Sequence, residues 1–139
     1  MNKIIKSNIF FLIILAASVF AVYGKSLSFG FTDLDDDALI YKNINYISDV
    51  KNIPKLFLTD CYYSHDFLYY RPVLSLSFAL ESMILRDNPA IYHTTNLILF
   101  ILSLYFTYFF LSKLNFNTAI LKFLILIAAV HPLFTSAAV

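Results

Sequence analysis

Residues 7–24 read SNIFFLIILAASVFAVYG, eighteen consecutive positions without a charged side chain. The hydrocarbon core of a bilayer is about 30 Å thick and takes roughly 20 apolar residues of helix to cross. This stretch therefore predicts a membrane-spanning helix over about residues 7–23. A cleaved signal peptide is the alternative, because Lys3 and Lys6 precede a short apolar core and residues 22–24 (VYG) fit a cleavage site.

The composition of the whole chain also favours a membrane protein. Of its 139 residues, 60% are hydrophobic and 14% are charged, whereas soluble domains average about 45–50% apolar and about 25% charged residues. With only 2 Gly and 4 Pro, collagen-like, low-complexity and disordered classes are excluded. The net charge of +1 gives no electrostatic basis for binding nucleic acid. One cysteine, Cys61, cannot form an intramolecular disulfide or a multi-cysteine zinc site.

Two further apolar runs lie in the second half of the chain. Residues 91–112 are uncharged apart from the titratable His93, and residues 116–135 contain only Lys122 near their start and His131 near their end. Backbone groups find no water in the bilayer, so such runs must form helices rather than isolated strands. The predicted fold class is all-α, a polytopic helical membrane protein. Its three predicted spans are at about residues 7–23, 91–112 and 116–135.

The distribution of charge predicts the orientation of these spans. All nine acidic residues lie between Asp33 and Asp87, whereas the opposite ends of the spans are flanked by lysines, namely Lys3, Lys6, Lys113 and Lys122. Because positively charged flanks stay on the cytoplasmic side, residues of about 25–90 are predicted to form an extracytoplasmic loop. The expected location is an integral, multi-pass position in a bacterial plasma (inner) membrane, or in the endoplasmic reticulum of a eukaryote.

This loop begins with a dense acidic segment, TDLDDD at residues 32–37. Four carboxylates within five positions repel one another, which favours a bound cation, a basic partner or a general base. The alternative is a solvated acidic turn that caps a helix beginning near Ala38. Farther along, residues 72–85 (PVLSLSFALESMIL) are too short to span a membrane and predict an interfacial or re-entrant helix that begins at Pro72.

The order of several short motifs is a more specific signal than any single motif. In chain order they are Phe31, Asp35-Asp36, Leu39-Ile40 with Asn43, Tyr70-Arg71-Pro72, Tyr92-His93 with Asn96, and His131-Pro132-Leu133-Phe134-Thr135. From about residue 29 onward, this order resembles the N-terminal part of membrane glycosyltransferases of the GT-C superfamily. The likeness is to the transmembrane and tetratricopeptide repeat-containing O-mannosyltransferases and their bacterial relatives, with patterns like F-x-W-D-D, Y-R-P-L, Y-H-x-x-N and H-P-x-x-T-E-A-V.

The chain departs from this family pattern at three positions. Leu34 stands where the family has an aromatic residue before the acidic pair, and Asp37 adds a third consecutive Asp. Ser136 replaces the Glu expected after Thr135, so no role of that Glu is carried over. The run of three Asp leaves the register of the acidic pair open by one residue.

The resemblance implies a polyprenyl-phosphate-sugar-dependent, inverting glycosyltransferase that moves mannose or a similar hexose to an acceptor hydroxyl at the extracytoplasmic face. Asp35 is the expected general base, because the attacking alcohol must lose its proton. Asp36 is the second expected catalytic residue, which either orients the acceptor or holds the shared charge of the pair. Arg71 is expected to bind the leaving phosphate, which suits a guanidinium fork; an interfacial anchor is its alternative role. Three further residues are expected to bind substrate, namely Asp37, His93 and His131. The alternative for each of the two histidines is a structural role at a helix end.

The lipid-linked sugar is the only cofactor-like molecule expected. No residue is assigned as a metal ligand, and the need for a divalent metal stays open. Expected partners are the lipid bilayer, the polyprenyl-phosphate sugar donor and a protein, glycan or lipid acceptor, without nucleic acid. Three spans cannot enclose a site of this class, so residues 1–139 are expected to be an N-terminal fragment, inactive alone, of a longer protein with further spans and tetratricopeptide repeats. The alternative is a non-catalytic polytopic membrane scaffold or partner protein.

Overall fold

The computed structural model describes residues 3–32, 35–66 and 68–134, and within these ranges all regular structure is helical. The α-helices are α1 (Lys3–Tyr23), α2 (Asp35–Leu39), α3 (Ile44–Ile47), α4 (Pro72–Leu85), α5 (Pro89–Lys113) and α6 (Thr118–Val130). Short 3-10 helices lie at Gly24–Ser28, Tyr41–Asn43, Val50–Phe57 and Pro132–Phe134. The all-helical class is thereby confirmed. Some positions of the sequence motifs lie outside the described residues, namely Leu34, Thr135 and Ser136.

The chain divides into two compact units. We call the first the helical unit, formed by the described parts of Met1–Leu27 and His93–Val139, and the second the loop unit, formed by those of Ser28–Tyr92. The helical unit contains α1, α6 and most of α5, whereas the loop unit contains α2, α3 and α4. The loop unit coincides closely with the predicted loop of about residues 25–90.

The helical unit has a core built from residues four positions apart. On α1 these are Phe11, Leu15, Val19 and Tyr23, and on α6 they are Leu121, Ile125 and Ala129. Residues at this spacing lie one above the other on one helix face, so each helix turns a continuous apolar ridge toward its neighbours. The facing side of α5 contributes Leu97, Phe100, Ile101, Leu104 and Tyr108.

The outward faces of these helices are apolar as well. Large exposed side chains include Phe10 on α1, Phe106 on α5 and Phe123 on α6. Two segments are long and apolar enough to cross a membrane, Ser7–Ser28 with mean hydropathy 2.0 and Pro89–Lys113 with mean hydropathy 1.7. Because their outward surfaces would be unfavourable in water, these two helices support a membrane protein.

The predicted third span contains a shorter helix. At a rise of about 1.5 Å per residue, the 13 residues of α6 cover about 20 Å, less than the hydrocarbon core of about 30 Å. The helix begins where the Asn117 side chain accepts hydrogen bonds from the N–H groups of Ala119 and Ile120. It ends at His131, which is extended because a residue before proline is disfavoured in the helical region. A three-span arrangement therefore stays a prediction.

The loop unit encloses a second core, and α4 packs into it with an unusual face. The predicted bounds of residues 72–85 agree with α4, and its buried residues are Ser75, Ala79, Glu81 and Ser82. The Glu81 carboxylate accepts a hydrogen bond of 3.0 Å from the Ser77 hydroxyl. The exposed face is apolar instead, with Val73 at 76% and Ile84 at 69% exposure. This inverted pattern agrees with the predicted interfacial or re-entrant helix, whose membrane placement stays a prediction.

We expect Leu15→Ala to destabilise the helical unit by about 2 kcal/mol. Leu15 is fully buried in the core, and the truncation leaves a cavity. The effect falls at the lower end of soluble-core values because lipid or detergent takes over most of the transfer term. Thermal unfolding followed by circular dichroism in detergent measures it. Ile13→Ala is the matched control on the same helix, since Ile13 is 60% exposed, and an equal loss in both variants would contradict the described core.

Candidate functional site

The acidic segment forms the start of α2 rather than a turn before it. The helix begins at Asp35, three residues earlier than the alternative interpretation placed it. Asp36 accepts two hydrogen bonds of 2.9 Å at Oδ2, from the backbone N–H and the hydroxyl of Thr32. A carboxylate in the first helical turn is also stabilised by the positive end of the helix dipole. The Asp36 side chain therefore stabilises the conformation of the chain directly before α2.

Asp37 is paired as well. Its carboxylate forms an ion pair with the ammonium group of Lys42. Next to this pair lies a cleft of about 190 Å³ lined by Phe31, Thr32, Asp37 and Tyr41. The rings of Phe31 and Tyr41 are 6.3 Å apart between centroids. The cleft thus offers aromatic faces beside a carboxylate, a combination able to hold a small polar ring.

Asp35 differs from its two neighbours. Its side chain is exposed, and among the described residues no hydrogen bond or ion pair engages its carboxylate. A carboxylate with both oxygens unengaged is able to accept a proton from an incoming hydroxyl. Of the three consecutive acids, Asp35 is therefore the one whose geometry leaves it available for chemistry.

Arg71 directly precedes α4, and the first turn of that helix fixes its backbone. The residue has a non-helical backbone conformation before Pro72 (φ −136°, ψ 64°), and a residue before proline is disfavoured in the helical region. Its carbonyl accepts a hydrogen bond of 3.1 Å from the N–H of Ser75. Its side chain is exposed, and within residues 35–66 and 68–134 no hydrogen bond or ion pair engages the guanidinium. The structure thus leaves this cation available for an anion.

Asp35 and Arg71 act electrostatically on the same two side chains, Cys61 and Tyr62. Burial raises the pKa of the Cys61 thiol; the positive charge of Arg71 opposes this rise and the negative charge of Asp35 adds to it. The pKa of Tyr62 is raised by desolvation and by Asp35, and the charge of Arg71 counteracts both. Both charges therefore act on the same part of the loop unit, although Asp35 and Arg71 are 36 positions apart in the sequence.

Residues 60–64 form a tight turn that includes Cys61 and Tyr62. The buried Asp60 carboxylate accepts hydrogen bonds from the N–H groups of Tyr62 (3.0 Å) and Ser64 (2.9 Å) and from the Ser64 hydroxyl (2.8 Å). Burial would raise the pKa of Asp60, but these hydrogen bonds outweigh it and lower the pKa below its usual value. Tyr63 takes a left-handed conformation with φ 62° inside the turn. The carboxylate thus stabilises a backbone conformation that is otherwise unfavourable.

One side chain connects this turn to the acidic helix. The Tyr63 hydroxyl donates a hydrogen bond of 2.8 Å to the carbonyl of Leu39, and burial raises the pKa of this phenol. Leu39 closes α2, the helix that begins with Asp35. No catalytic or binding motif of the sequence includes Asp60 or Tyr63. Asp60 is of a residue type that favours turns, but no sequence signal indicates the contact of this turn with α2.

The two candidate histidines lie in the helical unit. His93 is buried near the start of α5. His131 follows α6, where its Nδ1 accepts a hydrogen bond of 3.1 Å from the N–H of Leu133. The carbonyl of His131 accepts another, of 3.0 Å, from the Tyr23 hydroxyl. These bonds fit the structural helix-end role for His131. The four other candidate residues, Asp35, Asp36, Asp37 and Arg71, lie in the loop unit.

Among the described residues, no group of three or more His, Cys, Asp or Glu side chains could hold a metal ion. The acidic segment includes Asp33, which lies outside the described ranges, and the need for a divalent metal stays open. Comparison with known proteins adds no identification. No family model, curated protein or solved structure matches this chain.

Proposed function

We propose that this chain is part of a membrane glycosyltransferase that moves a sugar from a polyprenyl-phosphate donor to an acceptor hydroxyl. One observation carries the proposal. Among the described residues no hydrogen bond or ion pair engages the Asp35 carboxylate or the Arg71 guanidinium, and both charges act on Cys61 and Tyr62 of the loop unit. Inverting transfer from a lipid phosphate requires a base for the acceptor and a cation for the leaving group. The resemblance of the motifs to GT-C enzymes supports the same reaction.

In this proposal Asp35 removes the proton of the attacking hydroxyl. The acceptor oxygen forms the new bond to the anomeric carbon as the bond from that carbon to the phosphate oxygen breaks, and the proton passes to the Asp35 carboxylate. Asp36 is less suited to this step because its Oδ2 already accepts two hydrogen bonds from Thr32. Asp36 then acts as a positioning residue, since it holds the start of the helix that carries Asp35.

Arg71 stabilises the negative charge that develops on the departing phosphate. A guanidinium presents a planar fork of N–H donors that matches phosphate oxygens. Because its side chain is exposed at the start of α4, a lipid-linked phosphate can approach it without displacing a protein carboxylate. The exposed apolar residues of α4, among them Val73 and Leu80, give the same helix a surface suited to the lipid part of the donor.

The remaining candidates take supporting parts. Asp37, paired with Lys42, lines the small aromatic cleft in which sugar hydroxyls are proposed to bind. The resemblance also implies substrate binding by His93 and His131, but no step of the proposed reaction is assigned to them. Mannose or a similar hexose is the proposed sugar, on the extracytoplasmic face of a bacterial plasma membrane or of the endoplasmic reticulum. Catalysis is assigned to the complete protein, including any further spans.

The test is sugar transfer in membranes from cells that express the gene encoding this chain. Polyprenyl-phosphate-linked mannose and other hexoses, radiolabelled in the sugar, are supplied separately, and labelled glycoconjugate is compared with membranes that lack the protein. We expect labelling above the background with at least one donor. No labelling with any donor, despite normal amounts of protein in the membrane, would favour the scaffold or partner function.

Arg71→Gln is expected to lower kcat/KM for the lipid-linked donor by about 100-fold, a typical loss when one donor to a developing negative charge is removed. Lys51→Gln provides a matched control, because it removes an exposed positive charge of the same unit. An interfacial anchor at Arg71 would instead reduce the amount of protein in the membrane and leave kcat/KM per molecule unchanged. Quantitative immunoblotting of the same membranes separates the two results.

A further inference from the structure

A groove opens at one end of the helical unit, away from the end that carries Tyr23 and His131. It encloses about 520 Å³ and is lined by residues that include Ser7, Asn8, Tyr108, Ser112, Lys113 and Lys122. These residues come from the start of α1, the end of α5 and the start of α6. The charge pattern of the sequence predicts that this end faces the cytoplasm.

Lys122 is held in place at this groove. Its ammonium group donates a hydrogen bond of 3.0 Å to the Ser7 hydroxyl. It also lies over the rings of Phe11 and Tyr108, at 5.4 Å and 5.8 Å from their centroids. A hydroxyl and two ring faces fix the position of the charge without neutralising it.

The helical unit contains no acidic side chain that could pair with Lys113 or Lys122. The nine Asp and Glu residues of the chain all lie between Asp33 and Asp87, within the loop unit. Lys113, the second lysine of the groove, rests over the Phe109 ring at 5.1 Å. Two cations in one groove repel each other unless an anion lies between them, so the groove has the charge of an anion site.

The other polar groups of the groove are able to bind an oxyanion. The Tyr108 hydroxyl donates a hydrogen bond of 3.2 Å to Oδ1 of Asn8, and this orients the Asn8 side chain. Within the described residues, the amide NH₂ of Asn8 makes no hydrogen bond. It therefore adds an oriented neutral donor to the two ammonium groups.

We propose that this groove binds the phosphate of an anionic phospholipid. Phosphate oxygens accept hydrogen bonds from lysine and amide donors, and anionic lipids attract basic residues at the cytoplasmic surface. The exposed side chains of Phe106 and Phe110 on α5 continue from the groove along the helix as a surface for acyl chains. This apolar continuation selects a lipid phosphate over free phosphate. The site is independent of the proposed transfer reaction and lies on other residues.

The test is native mass spectrometry of the full protein, purified in a neutral detergent and titrated with phosphatidylglycerol or phosphatidylcholine. We expect several-fold more bound phosphatidylglycerol than phosphatidylcholine. Lys122→Gln and Lys113→Gln should each weaken phosphatidylglycerol binding by about tenfold, whereas Lys122→Arg retains it. Lys51→Gln, which removes a lysine of the loop unit, is the control and should leave binding unchanged.

Two results would overturn the proposal. Equal phosphatidylglycerol binding by the wild type and both glutamine variants would show non-specific lipid contact. Complete competition by millimolar inorganic phosphate would show a free-phosphate site instead. Because Lys113 is exposed and touches only the Phe109 ring within the described residues, Lys113→Gln is expected to fold even if Lys122→Gln does not. An unchanged melting temperature of Lys113→Gln verifies that expectation.

Discussion

Asp35→Asn is expected to reduce sugar transfer by at least 100-fold while the protein remains folded. The substitution keeps the size of the side chain and removes its ability to accept a proton, and general-base catalysis contributes about 10²–10⁴-fold to rates. Stability should change little because no hydrogen bond or ion pair among the described residues engages this carboxylate. The measurement is the initial rate of transfer per molecule in membranes, together with the melting temperature of the purified variant.

Two further variants separate a general base from a merely negative surface. Asp87→Asn removes another exposed carboxylate of the loop unit and should leave the rate unchanged. Asp36→Ala removes both hydrogen bonds from Thr32 and should lower stability by about 1 kcal/mol, the typical net contribution of a hydrogen bond. If Asp36→Ala abolished transfer and Asp35→Asn did not, the acidic pair would be shifted by one residue and Asp36 would be the base.

Asp60→Asn is expected to destabilise the loop unit by about 2–3 kcal/mol at pH 7. Asp60 is buried and accepts three hydrogen bonds. The amide oxygen of Asn can keep the two backbone N–H groups that donate to Oδ1, but the NH₂ group in place of Oδ2 cannot accept from the Ser64 hydroxyl. The charge of the acceptor is lost as well, and a hydrogen bond to a charged group is worth about 1.5–3 kcal/mol. The labelling rate of the buried Cys61 thiol measures the opening of the turn. We expect maleimide labelling of Cys61, read by peptide mass spectrometry, to accelerate at least tenfold.

The same carboxylate predicts how stability depends on pH. The pKa of Asp60 in the folded protein lies below its ordinary value of 3.8. Its contribution is therefore complete above the unfolded pKa, and it is lost as the pH falls through the lower folded value. Because only the thiolate reacts, labelling of Cys61 is compared with that of the unfolded protein at the same pH; the protection of wild-type Cys61 should fall below about pH 4, whereas Asp60→Asn should lack this component. Identical pH profiles in both proteins would contradict the assignment of the lowered pKa to Asp60.

The membrane-length helices were predictable because their signal is local. The absence of charge over residues 7–24 and 91–112 requires only that each segment satisfy its own backbone, which a helix does without any partner. The bounds of α4 were predictable for a similar reason, since Pro72 suits a first helical turn. The length of α6 was not predictable from hydropathy alone, because Asn117 and Pro132 limit the helix inside a longer apolar run.

The candidate site was only partly accessible to sequence reasoning. Motif order singled out both Asp35 and Arg71, but it offered no way to distinguish Asp35 from Asp36. Their difference depends on which carboxylate Thr32 engages, and that is a matter of the geometry at the start of α2. Asp60 was overlooked because a lone acidic residue in a loop is usually solvated, and its burial depends on residues far from it in the chain.

The amino-acid sequence by itself determined the helical class, the two apolar helices of membrane length and the separation of charge between the two units. These properties follow from the composition of continuous segments and from the need of every backbone group for a hydrogen bond. Only the tertiary structure decided that, among the described residues, Asp35 makes no hydrogen bond or ion pair and that its charge and that of Arg71 act on the same side chains, Cys61 and Tyr62. The same holds for the hydrogen bond from the Tyr63 hydroxyl to the carbonyl of Leu39, which joins positions 24 residues apart, because no local pattern specifies it.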